Sequence, residues 1–478
     1  MKPSNIIYVL SGLLFILSGS FLLPLLFSIF FRDGLHFIFA FQMVGMVGLG
    51  FLLKRLCPKP TELSVREGFL IVALTWVVSS VLGALPFMIS GAIPSFTDAF
   101  FETMSGFTTT GASILKDIEA LPKSLLVWRS STHWLGGMGV IALAVAIFPA
   151  LGIGASHLFK AEAPGPIKEK ISPRISETAK LLWMVYLLFT VVETLLLMLG
   201  GLDFFESLCT TFGSMGTGGF STRNASIAAY NSPYVDYVVI VFMFLAGANF
   251  NLHYWALRGK ITVYRDTEFR FYMGVTLLAM GIIAFARWVA GTVWSESMIR
   301  SSLFQTVSIV TTTGFITDDY EKWPLLTRLV LLLLMFVGGC TASTGGAIKN
   351  VRVCVLFKYL SSELKKVFHP HGVFPVKLRN KPLTESTVSN IVSFILFYIL
   401  LFALGVLCMA AIGLDLDTSI GSVAATLGNV GPGLGTVGAV DNYSAVPILG
   451  KWVLSFMMMA GRLEIFTVLV LLIPRFWR

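Results

Sequence analysis

Four times along this chain, an apolar stretch of about twelve residues runs into a cluster of small residues, and a longer apolar run follows. The stretches are 95–107, 203–215, 298–310 and 416–427. At about 1.5 Å per residue, a helix of that length reaches only halfway through a bilayer. The clusters read Phe107-Thr108-Thr109-Thr110-Gly111-Ala112-Ser113, Met215-Gly216-Thr217-Gly218-Gly219-Phe220-Ser221, Val310-Thr311-Thr312-Thr313-Gly314-Phe315-Ile316 and Leu427-Gly428-Asn429-Val430-Gly431-Pro432-Gly433. Aligned on Gly111, Gly219, Gly314 and Gly431, they lie 108, 95 and 117 residues apart. Helix, half-helix, cluster, helix is therefore one unit repeated four times in the same direction. Irregular backbone at membrane depth is tolerated only inside protein or beside a watery cavity.

The longer runs set the membrane plan. Stretches 6–31, 35–53, 68–91, 124–150, 179–200, 234–257, 271–294, 325–360, 387–413 and 446–473 are each long and apolar enough to read as spanning helices. Apolar residues make up 55% of the chain and charged residues 13%. A soluble domain carries about 25% charged residues. Soluble enzymes, disordered chains and disulfide scaffolds are thereby excluded, and Cys57, Cys209, Cys340, Cys354 and Cys408 are too scattered for a metal or disulfide framework. The run from Ile6 to Phe31 is longer than a signal-peptide core and reads as a retained helix. The expected organisation is a two-helix unit over 1–60, then repeats over 61–156, 157–259, 260–367 and 368–478.

Charge gives the orientation. With the N-terminus inside and the half-helices entering from outside, 24 of the 35 basic residues fall inside and 10 outside. Fifteen of the 26 acids fall outside and nine inside, leaving formal charges of −5 and +15. This is the positive-inside pattern, and the net +9 therefore needs no nucleic acid. A negative outer mouth would concentrate cations.

A dehydrated cation needs a ring of oxygens. Backbone carbonyls supply them where small residues let the chain bend. The four clusters offer Thr109, Thr110 and Gly111; Thr217, Gly218 and Gly219; Thr312, Thr313 and Gly314; Asn429, Val430 and Gly431 as the lining of one ion pathway. A half-helix aiming its partially negative C-terminal end at the axis adds favourable potential. The expected fold is an all-α polytopic membrane protein, with four tandem helix–pore-helix–helix repeats in a pseudo-fourfold arrangement around one ion pore and an N-terminal two-helix unit.

The clusters, Trp134-Leu135-Gly136-Gly137-Met138-Gly139, the interruption Gly338-Gly339-Cys340-Thr341-Ala342-Ser343-Thr344-Gly345-Gly346 followed by Ile348-Lys349, and Gly461-Arg462 together resemble the TrkH/KtrB superfamily of potassium transporters. The likeness covers essentially the whole chain and is greatest to the bacterial TrkH branch, because 6–53 resembles its leading unit. The fourth cluster departs from Thr-Thr-Gly, and fourth repeats of the family are generally the most divergent. The resemblance implies K⁺ uptake with Rb⁺ as surrogate, no organic cofactor in this chain, and the bacterial cytoplasmic (inner) membrane with both termini cytoplasmic. It implies a homodimer with one pore per subunit and a cytosolic TrkA-type ring of nucleotide-binding domains. Basic stretches 157–180 and 349–381 could dock that ring or face anionic lipid. Glycine at all four positions favours K⁺ over Na⁺, since plant relatives with serine at the first position tend toward Na⁺. A Na⁺- or H⁺-coupled cation symporter and a less K⁺-selective cation channel stand as alternatives.

The interruption at Gly338, Gly339, Thr341, Ser343, Thr344, Gly345 and Gly346 is either a kink relieved by hydroxyls or a gate; the resemblance implies an intramembrane gating loop. Arg462, read as mid-span, should face the interior. It could pair with Glu464 or Glu193, cap carbonyls of the loop, or act as a positive barrier; the resemblance implies the loop contact. Lys349 is either a charge at the inner mouth or a snorkelling interfacial lysine. His369-Pro370-His371 reads as a loop, and Glu193 as a satisfied polar contact rather than a proton-linked group. An intramembrane enzyme finds no HExxH, GxSxG or Walker A pattern here. A broken-helix symporter would predict inverted symmetry, against four parallel repeats.

Overall fold

The structure is a computed structural model that describes residues 1–60, 63–139, 175–379 and 381–478, with side chains from residue 178 in the third stretch. The expected boundary at 156/157, Lys160, Lys168, Lys170 and Arg174, and the second half of run 124–150 lie outside the described residues.

The chain opens with α1 (Pro3–Ser20) and α2 (Leu22–Phe31), which together form one apolar span, and returns through α3 (His36–Leu56). This pair packs on the first repeat, where Phe21 stacks on Trp128 with ring centroids 3.9 Å apart. Repeat 1 holds α4 (Val65–Ile89), the half-helix α5 (Phe96–Phe107) and α6 (Lys123–Gly137). Repeat 2 holds α7 (Ile175–Leu199), the half-helix α8 (Phe204–Met215), α9 (Pro233–Ala246) and α10 (Phe250–Leu257). Repeat 3 holds α11 (Thr267–Val289), the half-helix α12 (Glu296–Val310), α13 (Leu325–Leu334) and α14 (Asn350–Phe368). Repeat 4 holds α15 (Glu385–Ala411), the half-helix α16 (Leu416–Leu427), α17 (Ile448–Arg462) and α18 (Phe466–Leu469). Among the described residues, six spans are long and apolar enough to cross a membrane unbroken. Apolar side chains such as Phe37, Phe41, Leu199, Leu278 and Leu333 stay exposed around the outside, as a lipid-facing belt requires.

Each half-helix starts on the same device. Ser95, Asp203, Ser295 and Asp415 accept a hydrogen bond from the backbone N–H three residues on, at 3.4, 2.7, 3.3 and 2.8 Å. Such caps satisfy one of the N–H groups that every helix start leaves unpaired.

The second helix of a repeat differs from the expected continuous span. Run 234–257 breaks between α9 and α10, which meet at 103°, and run 446–473 breaks between α17 and α18 at 116°. In the first, Asn249 ends the break by capping α10 through Asn251 N–H at 2.9 Å. In the second, Glu464 and Ile465 take positive φ (54° each). The break in repeat 3 is longer than the expected 338–346, since helix stops at Leu334 and resumes at Asn350. Arg462 consequently sits at a helix end and not within a continuous span.

The termini share one face. The Lys2 N–H donates to Glu67 at 2.8 Å, and Arg66 donates to the Phe476 carbonyl. A short antiparallel hairpin, β1 (Lys377–Leu378) with β2 (Lys381–Pro382), links repeats 3 and 4 on this terminal face. The half-helices enter from the opposite, far face, where Lys451 pairs with Asp98 at 2.6 Å.

Candidate ion pathway

The four clusters emerge from the half-helix C-termini and close into a ring. Gly111, Gly219, Gly314 and Gly431 have φ of +81, +78, +80 and +97°. A Cβ on Gly111 would collide with the Gly218 carbonyl, on Gly219 with that of Thr313, on Gly314 with that of Val430, and on Gly431 with that of Thr110. Each glycine thus abuts the next segment's carbonyl in the order one, two, three, four, one. No other residue type fits both that backbone angle and that approach. Two positions earlier, Thr109, Thr217, Thr312 and Asn429 also have positive φ, between 50 and 60°. Alternating left- and right-handed residues turn successive peptide planes the same way, so carbonyls collect on one side, unlike those of a β-strand.

Gly111 and Gly219 are half-buried, the threonine, asparagine and valine side chains of these segments are fully buried, and the hydroxyls are organised from behind. Thr108 Oγ1 contacts Met104 O at 2.6 Å and Thr110 Oγ1 at 2.8 Å; Thr311 makes the equivalent contacts to Val307 O and Thr313 Oγ1 at 2.7 and 2.8 Å. In the divergent fourth cluster, Asn429 Nδ2 reaches Thr110 Oγ1 at 3.0 Å and the Met458 carbonyl at 2.9 Å. Thr109 Oγ1 and Asn429 Oδ1 are buried with no hydrogen-bond partner in the protein. Oxygens left unpaired beside a carbonyl ring suit a hard monovalent cation or its water.

The break of repeat 3 lies directly on the terminal-face side of this ring. Gly346 N–H donates to Thr312 Oγ1 at 2.7 Å. Repeat 2 grips the loop through its own broken helix: Cys340 N–H to Gly247 O at 2.8 Å, Thr344 Oγ1 to Ala246 O at 3.1 Å, and Phe250 N–H to Ala342 O at 3.1 Å. Glu268 on α11 accepts from the Thr341 N–H at 2.6 Å and its hydroxyl at 3.0 Å. Gly338 N–H donates to Ile348 O at 3.0 Å, closing the base of the loop. Gly339 leaves room for the Gly247 carbonyl and the Ser343 hydroxyl; Lys349 donates to the Gly345 carbonyl. Arg462 donates to Thr344 O at 2.6 Å, to Gly137 O at 2.8 Å and to Gly136 O. The last two carbonyls lie at the end of α6, where Gly136 O also accepts from Gly139 N–H at 3.0 Å, and a guanidinium at a helix C-terminus is favoured by the helix dipole. A cavity of about 160 Å³ lies beside the loop, lined among others by Trp76, Gly139, Ser343, Lys349, Arg462 and Glu464.

Glu464 ion-pairs with Arg352, and His369 and His371 are exposed. Glu193 is only partly satisfied: its Oε1 accepts from the Ser214 hydroxyl, and its Oε2 is buried with no hydrogen-bond partner in the protein. Among the described residues no cluster of metal-ligating side chains occurs. The far face is less openly negative than its sequence suggests, because Asp98, Glu102, Glu119, Glu206, Asp236, Glu296, Asp318 and Asp319 are ion-paired. Glu102 and Arg129 are not surface charges at all; they are 1% and 2% exposed, behind the ring. Sequence reading missed both, and the signal was an acid inside a half-helix with a basic residue inside the following apolar helix.

Comparison with known proteins bears on the whole chain. The TrkH cation transport protein family matches residues 35–478. The Trk system potassium uptake protein TrkH of Escherichia coli K12 is 43% identical over 474 residues, 98% of each chain. That of Halomonas elongata is 39% identical over 485 residues, covering both chains in full. The crystal structure of the potassium transporter TrkH from Vibrio parahaemolyticus superposes with a TM-score of 0.89 at 37% identity over 100% of both chains. These relatives are named as transporters, not enzymes, and the long apolar helices make this chain a multi-pass membrane protein. The chain belongs to the TrkH family of cation transport proteins.

Proposed function

We propose that this protein takes up K⁺ through a selectivity filter made of the four glycine segments. The observation that carries the reading is the closed ring in which Gly111, Gly219, Gly314 and Gly431 each abut the next segment's carbonyl. A cation shedding water there exchanges hydration for carbonyl oxygens, aided by four half-helix C-termini. The names of the relatives supply the ion.

Loop 335–349 is the gate in this reading. It lies against the filter at Gly346 and is tied directly to repeats 2, 3 and 4 and, through Arg462, to repeat 1, so K⁺ passes only when those contacts part. Arg462 holds the closed arrangement, and Lys349 and Arg462 add positive charge on the path of an exiting cation.

The excess of basic residues supports a cytoplasmic terminal face, and the relatives' bacterial sources support an inner-membrane location. There the protein works as a homodimer, and a TrkA-type ring engages its basic surface, including Lys358, Lys365, Lys366, Lys377 and Lys381. Expression in bacteria lacking other K⁺ uptake systems tests the reading. Growth at limiting K⁺ is expected with this chain, and failure of correctly inserted protein to restore it would count against K⁺ uptake.

A further inference from the structure

A ring of carbonyls repels itself, so something outside it must set its width. At three of the four junctions between neighbouring segments the contacts nearest the glycines are made by neutral groups; farther out, the Glu321 carboxylate accepts from Gly435 N–H at 2.7 Å. Segments two and three are joined by Ala228 N–H to Ile316 O at 3.1 Å and Ile316 N–H to Ser226 Oγ at 3.2 Å. Segments three and four are joined by the Tyr320 hydroxyl, which donates to Gly433 O at 2.7 Å. Segments four and one are joined by Tyr443, whose hydroxyl donates to Gly431 O and whose N–H donates to Ser113 O, both at 2.8 Å.

The junction of segments one and two is different. Glu102, on the half-helix of repeat 1, accepts from Ser113 Oγ and Ile114 N–H, both at 2.9 Å and both just past Gly111. Arg129, on α6, donates its Nε to the same carboxylate at 2.7 Å and its Nη1 to Ser221 O at 2.9 Å, just past Gly219. Its guanidinium carbon also lies 3.5 Å from the Phe220 ring centroid. One buried ion pair therefore holds both strands. Burying two charges costs more than a hydrophobic pair of similar volume, so stability is a poor reason for the pair to be there. Its geometry gives a better one: the planar guanidinium fixes direction as well as distance.

We propose that Glu102 and Arg129 are positioning residues for cation selection, which set the spacing of the first and second glycine segments from behind. The proposal rests on the filter reading above. The pair touches no ion and acts through the Ser113–Ile114 and Ser221 backbone.

The test is rubidium influx into liposomes holding the full-length protein, with K⁺ or Na⁺ competing. The variants are Glu102→Gln and Glu102→Gln with Arg129→Met, alongside Ser113→Ala, which removes a single contact to Glu102. The ratio of Na⁺ to K⁺ needed for half-inhibition does not depend on how much protein is folded, so a merely structural role leaves it unchanged. The expected result is a fall in K⁺ preference of about tenfold for the ion-pair variants, the size of one lost charge-assisted hydrogen bond, and a smaller fall for Ser113→Ala. Wild-type preference retained in the ion-pair variants overturns the proposal. Should those variants not fold, unchanged preference in Ser113→Ala overturns it instead. Absence of any K⁺ preference in the wild-type protein overturns the filter reading and, with it, this inference.

Discussion

Arg462 reaches the Thr344 carbonyl at 2.6 Å and the Gly137 carbonyl at 2.8 Å, so one side chain joins the loop of repeat 3 to the end of α6 in repeat 1 from its place on repeat 4. A hydrogen bond from a charged donor contributes about 1.5–3 kcal/mol. Arg462→Gln is therefore expected to raise rubidium influx by about tenfold or more, by freeing the loop. Influx unchanged at equal protein content would mean that the contact does not hold the closed state.

Gly314 has φ +80°, and a Cβ there would collide with the Val430 carbonyl. A non-glycine residue in such a conformation costs about 1–3 kcal/mol before any collision. Gly314→Ser is expected to cut K⁺ preference over Na⁺ in a competition assay. An unaltered preference would remove Gly314 from the lining.

The outer turn of the loop hangs on Glu268, which accepts from both the N–H and hydroxyl of Thr341. Glu268→Gln weakens this charge-assisted pair. Amide hydrogen exchange over 340–344 should speed up by about tenfold, while exchange in α11 outside its first turn stays as it was.

Much of this architecture is written in the sequence because membrane constraints are strict. Length and apolar content marked the half-helices to within two residues at their ends, since caps such as Asp203 and Asp415 and glycines such as Gly216 and Gly428 punctuate them. The bends at 247–249 and 463–465 were not legible. Polar residues such as Asn249, Arg462 and Glu464 interrupt the apolar runs there without specifying a bend, whose cause is tertiary: the Gly247 and Ala246 carbonyls turn to meet the loop, and Arg462 turns to cap α6. An acid inside a half-helix and a base inside the next helix flag Glu102 and Arg129 singly, but their pairing is not legible, because they lie 27 residues apart and only the fold makes them neighbours.

Gly461 tests the packing beneath the ring. A Cβ there would collide with the Leu427 carbonyl, as one on Gly136 would with the Phe107 carbonyl at the matching place in repeat 1. An exposed helical Gly→Ala change is ordinarily stabilising by about 1 kcal/mol. Gly461→Ala is expected instead to destabilise by about 1–3 kcal/mol, read as a lower thermal unfolding midpoint in detergent. A raised midpoint would mean that the close approach is absent.

The central claim is that four glycine segments form one K⁺-selective path. Radioactive rubidium influx into liposomes holding only the purified protein tests it most directly. The account predicts influx that external K⁺ suppresses and equal Na⁺ does not. No influx, or equal suppression by both ions, would contradict it.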